Sequence, residues 1–239
     1  AVSAEINSVQ VKQVPLLADF QIDMQAVWAQ ITPQTKIIFL CSPNNPTGNI
    51  LNSTDVFALL QGFRGIVVID EAYIDFSAQE SWAGKLGDFP QLVVLRTFSK
   101  AWGLAALRIG MALACPRIIA LLNKVKPPYN LNVLTQAHLK HTLENNQTLP
   151  ALVQTIITER EKLAKALKTL SIVETVYASE ANFLLVRFRT EAKTVYQALT
   201  QKGIVVRDRS TQISCERCLR ITVGTAEENN YLLAVLHEL

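Results

Sequence analysis

The chain has 239 residues, of which 49% are apolar and 18% charged, which excludes a disordered polymer. With 23 Lys plus Arg against 20 Asp plus Glu, the formal charge is only +3, and no basic stretch suggests a nucleic-acid surface. The most apolar region, residues 104–122, is broken by Arg108, Pro116 and Arg117, so no membrane span is expected.

In chain order, residues 9–14 read as a short strand, and Asp23 can cap a helix running to about residue 30. KIIFLC (36–41) is a buried strand, followed by a polar, proline-rich turn over 42–49. Ser53 or Thr54 starts a helix to about residue 63. GIVVID (65–70) and QLVVLR (91–96) are further buried strands, and residues 109–114 are a fourth. Continuous Val/Ile/Leu runs separated by helices indicate a parallel sheet covered on both faces. After Pro127 and Pro128 the pattern changes to long helices over 133–143 and 149–170. In the second, Ile156, Leu163, Leu167 and Leu170 share a face, and Glu161 and Lys165 are spaced to pair. Short strands (182–188, 203–206, 218–223) then alternate with helices (192–202, 226–236), the pattern of a smaller α+β unit.

Ligands in α/β sheets bind beyond the carboxyl ends of the strands. After KIIFLC comes Ser42-Pro43-Asn44-Asn45-Pro46-Thr47-Gly48. Asp70-Glu71-Ala72-Tyr73 ends the second strand, and Thr97-Phe98-Ser99-Lys100 follows the third, with Arg108 eight residues beyond Lys100. Each residue has a bland alternative. Asn45 can be a turn residue, Asp70 a cap or half an ion pair, Ser99 a cap, and Lys100 a solvated lysine. Their recurrence at successive strand ends of one sheet edge favours a shared site.

The four cysteines are too few for a disulfide scaffold. Cys215 and Cys218 form a CxxC without a second ligand pair, so neither zinc nor redox chemistry is assigned to them. His138 and His141 lie three apart on a helix with no acidic partner and read as surface residues. Glu5, Asn7 and Gln10 stand where a signal peptide would be apolar, so a cytoplasmic location is expected.

The segments SPNNPTG, DEAY and SK-x-W-G-L-x-x-L-R-x-G resemble fold-type I pyridoxal-phosphate aminotransferases. More narrowly, ANFLLVRF and GIVVRD…CLRITVGT resemble the histidinol-phosphate aminotransferases. The resemblance runs from about Pro15 to the C-terminus and implies an α/β fold of the PLP-dependent transferase type. A mostly parallel sheet with helices on both faces would be joined to a small α+β domain. Residues 1–125 would be the C-terminal part of the large cofactor-binding domain, and 126–239 the small domain.

By the same resemblance, Lys100 would carry the cofactor. Its primary amine can bond to an aldehyde, be displaced by the substrate's amine and then move the Cα proton. Asp70 would pair with the pyridine nitrogen, and Tyr73 and Asn45 with the ring oxygen. Ser99 and Arg108 would hold the cofactor phosphate, where a guanidinium fork suits a dianion. Arg220 would fix the substrate's anionic group, with Asn182 nearby. Arg207, thirteen residues earlier, would join Arg220 on a substrate phosphate; its bland alternative is a solvated loop charge beside Asp208 and Arg209.

The implied reaction passes an amino group between L-histidinol phosphate and 2-oxoglutarate, giving glutamate, in a homodimer of histidine biosynthesis. The family carries a further segment ahead of the matched region. That segment holds a backbone phosphate loop, a ring-stacking aromatic and a tyrosine lent to the partner subunit. This chain alone is therefore expected to bind the cofactor poorly and to be inactive. The rival expectations are a phospho-amino-acid decarboxylase of the same branch, the sensor domain of a transcription regulator, and an inert fragment.

Overall fold

The computed structural model describes residues 2–239. After a short helix α1 (Val2–Ile6), residues 9–14 form no strand. Their Val/polar alternation suits a ladder, yet no described strand pairs with them, and Val9 and Val11 stand exposed. Helix α2 (Met24–Gln30) begins where the sequence places it, with the Asp23 carboxylate accepting from Ala26 N–H at 2.9 Å.

The first sheet has the order β1-β2-β3-β4, with β1 (Ile37–Cys41), β2 (Ile66–Asp70), β3 (Leu92–Thr97) and β4 (Gly110–Ala114). The first three strands are parallel, and β4 is antiparallel to β3. The apolar run 109–114 marks a strand but carries no information on its direction. Helix α3 (Ser53–Gly62), capped by Asn52, packs with α2 on the face bearing Val67, Ile69, Leu92 and Val94. The opposite face is open at the β1 end, where Phe39 is 70% exposed.

Helix α4 (Pro116–Val125) follows β4 directly. The apolar run through 104–122 does not announce it as a helix. Pro116 sits in its first turn, where a missing N–H costs nothing. Helices α5 (Val133–Glu144) and α6 (Leu149–Leu167) come next. On α6 the expected face is buried through Leu163 and Leu167, but Leu170 lies past the helix end. The expected Glu161–Lys165 pair is replaced by Glu159–Lys162 at 2.8 Å.

The second sheet is antiparallel, in the order β5-β6-β8-β7. Its strands are β5 (Val173–Val176), β6 (Phe183–Phe188), β7 (Arg207–Asp208) and β8 (Cys218–Thr222). Alternation gives it two working faces. Leu184, Val186, Leu219 and Ile221 form a core that also takes in residues of α6, α7 (Ala192–Gln201) and α8 (Ala226–His237). Phe183, Leu185, Cys218 and Arg220 take the other face, which is why β6 reads as a nearly unbroken apolar run.

Strand β7 starts later than the predicted 203–206 because the end of α7 consumes those residues. Gly203 takes φ +78°, its N–H bonds Thr200 O, and Ile204 N–H bonds Leu199 O. This is a Schellman closure that needs a left-handed residue. Helix α8 opens on the reciprocal Thr225–Glu228 capping box.

The two sheets meet through the 42–49 loop and α6. Gly48 has φ +81°, its carbonyl accepts from Glu180 N–H at 2.7 Å, and a Cβ there would strike the Ser179 side chain. Arg160 of α6 is buried and donates to Ala181 O at 2.9 Å and Phe76 O at 3.2 Å. Burial lowers its affinity for the proton, while Glu180 and Glu161 act against that loss.

Candidate active site

Asp70, Ser99, Lys100 and Arg108 line one cavity of about 500 Å³ at the carboxyl end of the first sheet. Asp70 is the last residue of β2, and its Oδ1 accepts from Ala72 N–H at 3.0 Å, which holds the carboxylate at the strand mouth. In the β1–β2 register Cys41 stands beside it, and burial, aided by the Asp70 charge, pushes that thiol up to about 11. The turn after β3 is braced by Thr97, whose Oγ1 accepts from Ser99 N–H at 3.1 Å and donates to Ile109 O at 3.2 Å. Lys100 is exposed, and its Nζ lies 5.1 Å from the centre of the Tyr73 ring. Arg108 takes a left-handed conformation, φ 54°, and its Nη1 donates to Ala105 O at 2.9 Å. For a residue with a side chain that geometry costs about 1–2 kcal/mol.

A second group gathers around Phe183 of β6. Tyr73 is buried edge-on against that ring at 5.1 Å, and the Arg220 guanidinium sits over it at 5.0 Å. Arg220 Nη1 donates to Asn45 Oδ1 at 2.8 Å, joining the second sheet to the 42–49 loop. Arg207 is exposed and lies directly opposite Arg220 in the β7–β8 register, on the same face. Burial lowers the Arg220 pKa and the nearby arginines lower it further, while the Tyr73 phenol acts in the opposite sense. Asn182 contributes its backbone carbonyl to Val223 N–H at 3.0 Å, and among the described residues its side chain bonds to no candidate residue.

Three residues of the site region escape a reading of the sequence. Glu71 is buried and accepts from Trp82 N–H at 2.7 Å and from the Ser81 hydroxyl. Burial raises its carboxyl pKa although both donors pull it down. It ties the DEAY segment to the short 3-10 turn Trp82–Lys85; its place next to Asp70 was the available signal. Asp75 pairs with Arg96, which also lines the cavity; burial outweighs the arginine, and the Asp75 pKa is raised. Arg160 is invisible to a periodicity argument, which assigns arginine to solvent.

An amine, a carboxylate, a hydroxyl and a guanidinium converge on the cavity. That donor set matches an aromatic aldehyde carrying a basic ring nitrogen and a phosphate. The family model for aminotransferase class I and II matches residues 1–236. The chain belongs to the class I and II aminotransferases. A curated relative, the histidinol-phosphate aminotransferase of Flavobacterium johnsoniae, is 47% identical over 235 residues, 98% of this chain and 67% of that protein. The chain thus spans about two thirds of the length of the curated relatives it matches. Among solved structures, the histidinol-phosphate aminotransferase of Clostridium acetobutylicum superposes with a TM-score of 0.92 at 22% identity, covering 99% of this chain and 73% of that one. The Sinorhizobium meliloti enzyme, solved in complex with pyridoxal-5'-phosphate, gives 0.87 at 24% identity, covering 99% and 66%. As an aminotransferase, the chain has the fold expected of it: a mostly parallel α/β sheet with a second, smaller sheet and its helices.

The CxxC cysteines, Cys215 and Cys218, are buried and free. Among the described residues no three metal-ligating side chains cluster, and no helix is long and apolar enough to cross a membrane. Burial pushes the Cys215 thiol up to about 11, as it does Cys41. Only the thiolate reacts with alkylating agents, and its fraction grows tenfold per pH unit until the pKa is reached. At pH 8 Cys41 and Cys215 should therefore label with iodoacetamide roughly a hundredfold or more slowly than in urea-unfolded protein. Mass mapping of a time course reads this, and native rates within tenfold of the unfolded ones would contradict it.

Proposed function

We propose that this chain is the catalytic part of a pyridoxal-phosphate-dependent histidinol-phosphate aminotransferase. It would exchange an amino group between L-histidinol phosphate and 2-oxoglutarate, releasing imidazole-acetol phosphate and L-glutamate, in histidine biosynthesis. The observation that carries the reading is the in-register pair Arg207 and Arg220 on one sheet face. Histidinol phosphate has no α-carboxylate and presents a phosphate dianion on a longer arm. Two guanidinium forks match such a group better than one. The shared name of several curated relatives supports the same substrate.

Bound pyridoxal phosphate supplies an electron sink for the pair left behind when a proton leaves the substrate carbon. Asp70 would hold a proton on the ring nitrogen, keeping that sink positive. Lys100 Nζ would anchor the cofactor and then carry the proton to and from the substrate carbon. Ser99 and Arg108 would grip the cofactor phosphate, and Asn45 and Tyr73 would direct donors at the ring oxygen. Arg207 and Arg220 would orient the substrate by its phosphate, with Asn182 at the edge of the site.

Residues 1–125 would form the C-terminal part of the large cofactor domain and 126–239 the small domain. A homodimer is part of the proposal, supported by the exposed apolar residues Val125, Tyr129, Val133 and Leu134. So is the cytoplasm, supported by four unpaired cysteines.

Arg207→Gln, made in the full-length enzyme, tests the substrate. Removing one charge-assisted contact costs ~1.5–3 kcal/mol, roughly a ten- to hundredfold fall in kcat/KM for histidinol phosphate. The glutamate half-reaction should suffer less, because glutamate carries no phosphate. Stopped-flow absorbance measures each half-reaction separately. A loss below threefold for histidinol phosphate would make Arg207 a surface residue and withdraw the main support for this substrate.

A further inference from the structure

We propose that Arg209 is a third guanidinium of the substrate-phosphate site, acting with Arg207 and Arg220 to select a dianion over a carboxylate. The proposal rests on the substrate assignment above and names a residue that assignment does not use.

Arg209 N–H donates to Cys218 O at 2.9 Å, which extends the β7–β8 ladder one residue past Asp208. Residues two apart on a strand share a face. Arg209 therefore projects on the side of Arg207, the side that carries Arg220 across the ladder. Asp208 alternates away and accepts from Ser210 N–H at 2.8 Å and Ser210 Oγ at 2.6 Å, so its charge is spent locally.

Burial supplies a second, independent observation. The Nε atoms of Arg187, Arg209 and Arg220, all on this face, are buried without a hydrogen-bond partner among the described residues. Arg187 is held by Ser214 O and Glu216, whereas the side chains of Arg207 and Arg209 make no hydrogen bond among the described residues. Guanidinium groups without a protein partner on one sheet face call for an acceptor from outside the chain. None of the ion pairs found among the described residues involves Arg207, Arg209 or Arg220. Arg209 and Arg207 both push the Arg220 pKa down, after burial, which places three like charges within interaction range. A bound phosphate dianion relieves that repulsion and accepts from the terminal nitrogens of Arg207 and Arg209, whose side chains are not fully covered. A carboxylate monoanion, with half the charge and fewer oxygens, relieves it less.

The test uses the active enzyme with Arg209→Gln and Arg209→Lys. For Arg209→Gln, KM for histidinol phosphate should rise on the order of ten- to hundredfold, with KM for glutamate changed less than threefold. Arg209→Lys keeps the charge and should recover part of the loss. Inorganic phosphate, titrated as an inhibitor of the glutamate half-reaction, should inhibit the wild type and lose potency in Arg209→Gln by a similar factor. Equal changes for both substrates would mark a structural role and overturn the proposal, as would phosphate inhibition that is the same in wild type and Arg209→Gln. Wild-type enzyme that ignores histidinol phosphate yet is inhibited by inorganic phosphate through Arg209 would refute the substrate and support the three-arginine site.

Discussion

In the full-length enzyme, replacing Lys100, the proposed cofactor anchor, by alanine should lower turnover by ~10²–10⁴-fold or more, the contribution of a positioned proton-transfer group. The side chain is exposed at the mouth of the cavity, so its removal leaves no void in a core. Its Nζ faces the Tyr73 ring from 5.1 Å, free of any carboxylate partner in the ion pairs described. A lysine so placed has no evident structural task, and the variant should keep the wild-type melting midpoint within a few degrees. Borohydride makes a cofactor–lysine linkage permanent, and peptide mapping of the reduced wild type should find the label on Lys100. A label on another lysine, or an alanine variant with more than a tenth of wild-type turnover, would reject the assignment.

Asp70→Asn should preserve the fold and damage the chemistry. An amide oxygen can still accept from Ala72 N–H, the bond the carboxylate makes at 3.0 Å. What is lost is the negative charge at the end of β2, where it would hold the proton of the cofactor's ring nitrogen. Deleting one preorganised electrostatic group typically costs ~3 kcal/mol in the barrier, about a hundredfold in rate. The loss should fall on proton abstraction, read as a substrate deuterium isotope effect that grows in the variant, while cofactor affinity changes little. A variant within threefold of wild type would end the electron-sink role of this residue.

Much of this arrangement could be read from the chain alone, because short-range patterns carry it. Asp70, Ser99 and Lys100 were legible because each follows a buried apolar run, and the end of such a strand is where an α/β sheet binds ligands. The capping of α2 by Asp23 was legible for the same local reason. Pairing partners were not. Residues 9–14 alternate like a strand and find no ladder; β4 runs opposite to its neighbours; β7 begins only after Gly203 has closed α7. Buried charge was the other blind spot. Arg160 and Glu71 look like solvent residues until the carbonyls and N–H groups that satisfy them come into place from distant segments.

The hydrogen bond between Asn45 and Arg220 links residues 175 apart in sequence. Closing a loop of that length costs backbone entropy before any contact repays it. Hairpins and helices of each sheet need no such closure and can form first. The arginine-bearing face is thus completed only late in folding: a chain with both sheets built but undocked has normal secondary structure and an unassembled site. Agents that loosen the contact between the sheets would silence the protein while leaving its circular dichroism in the far ultraviolet nearly intact.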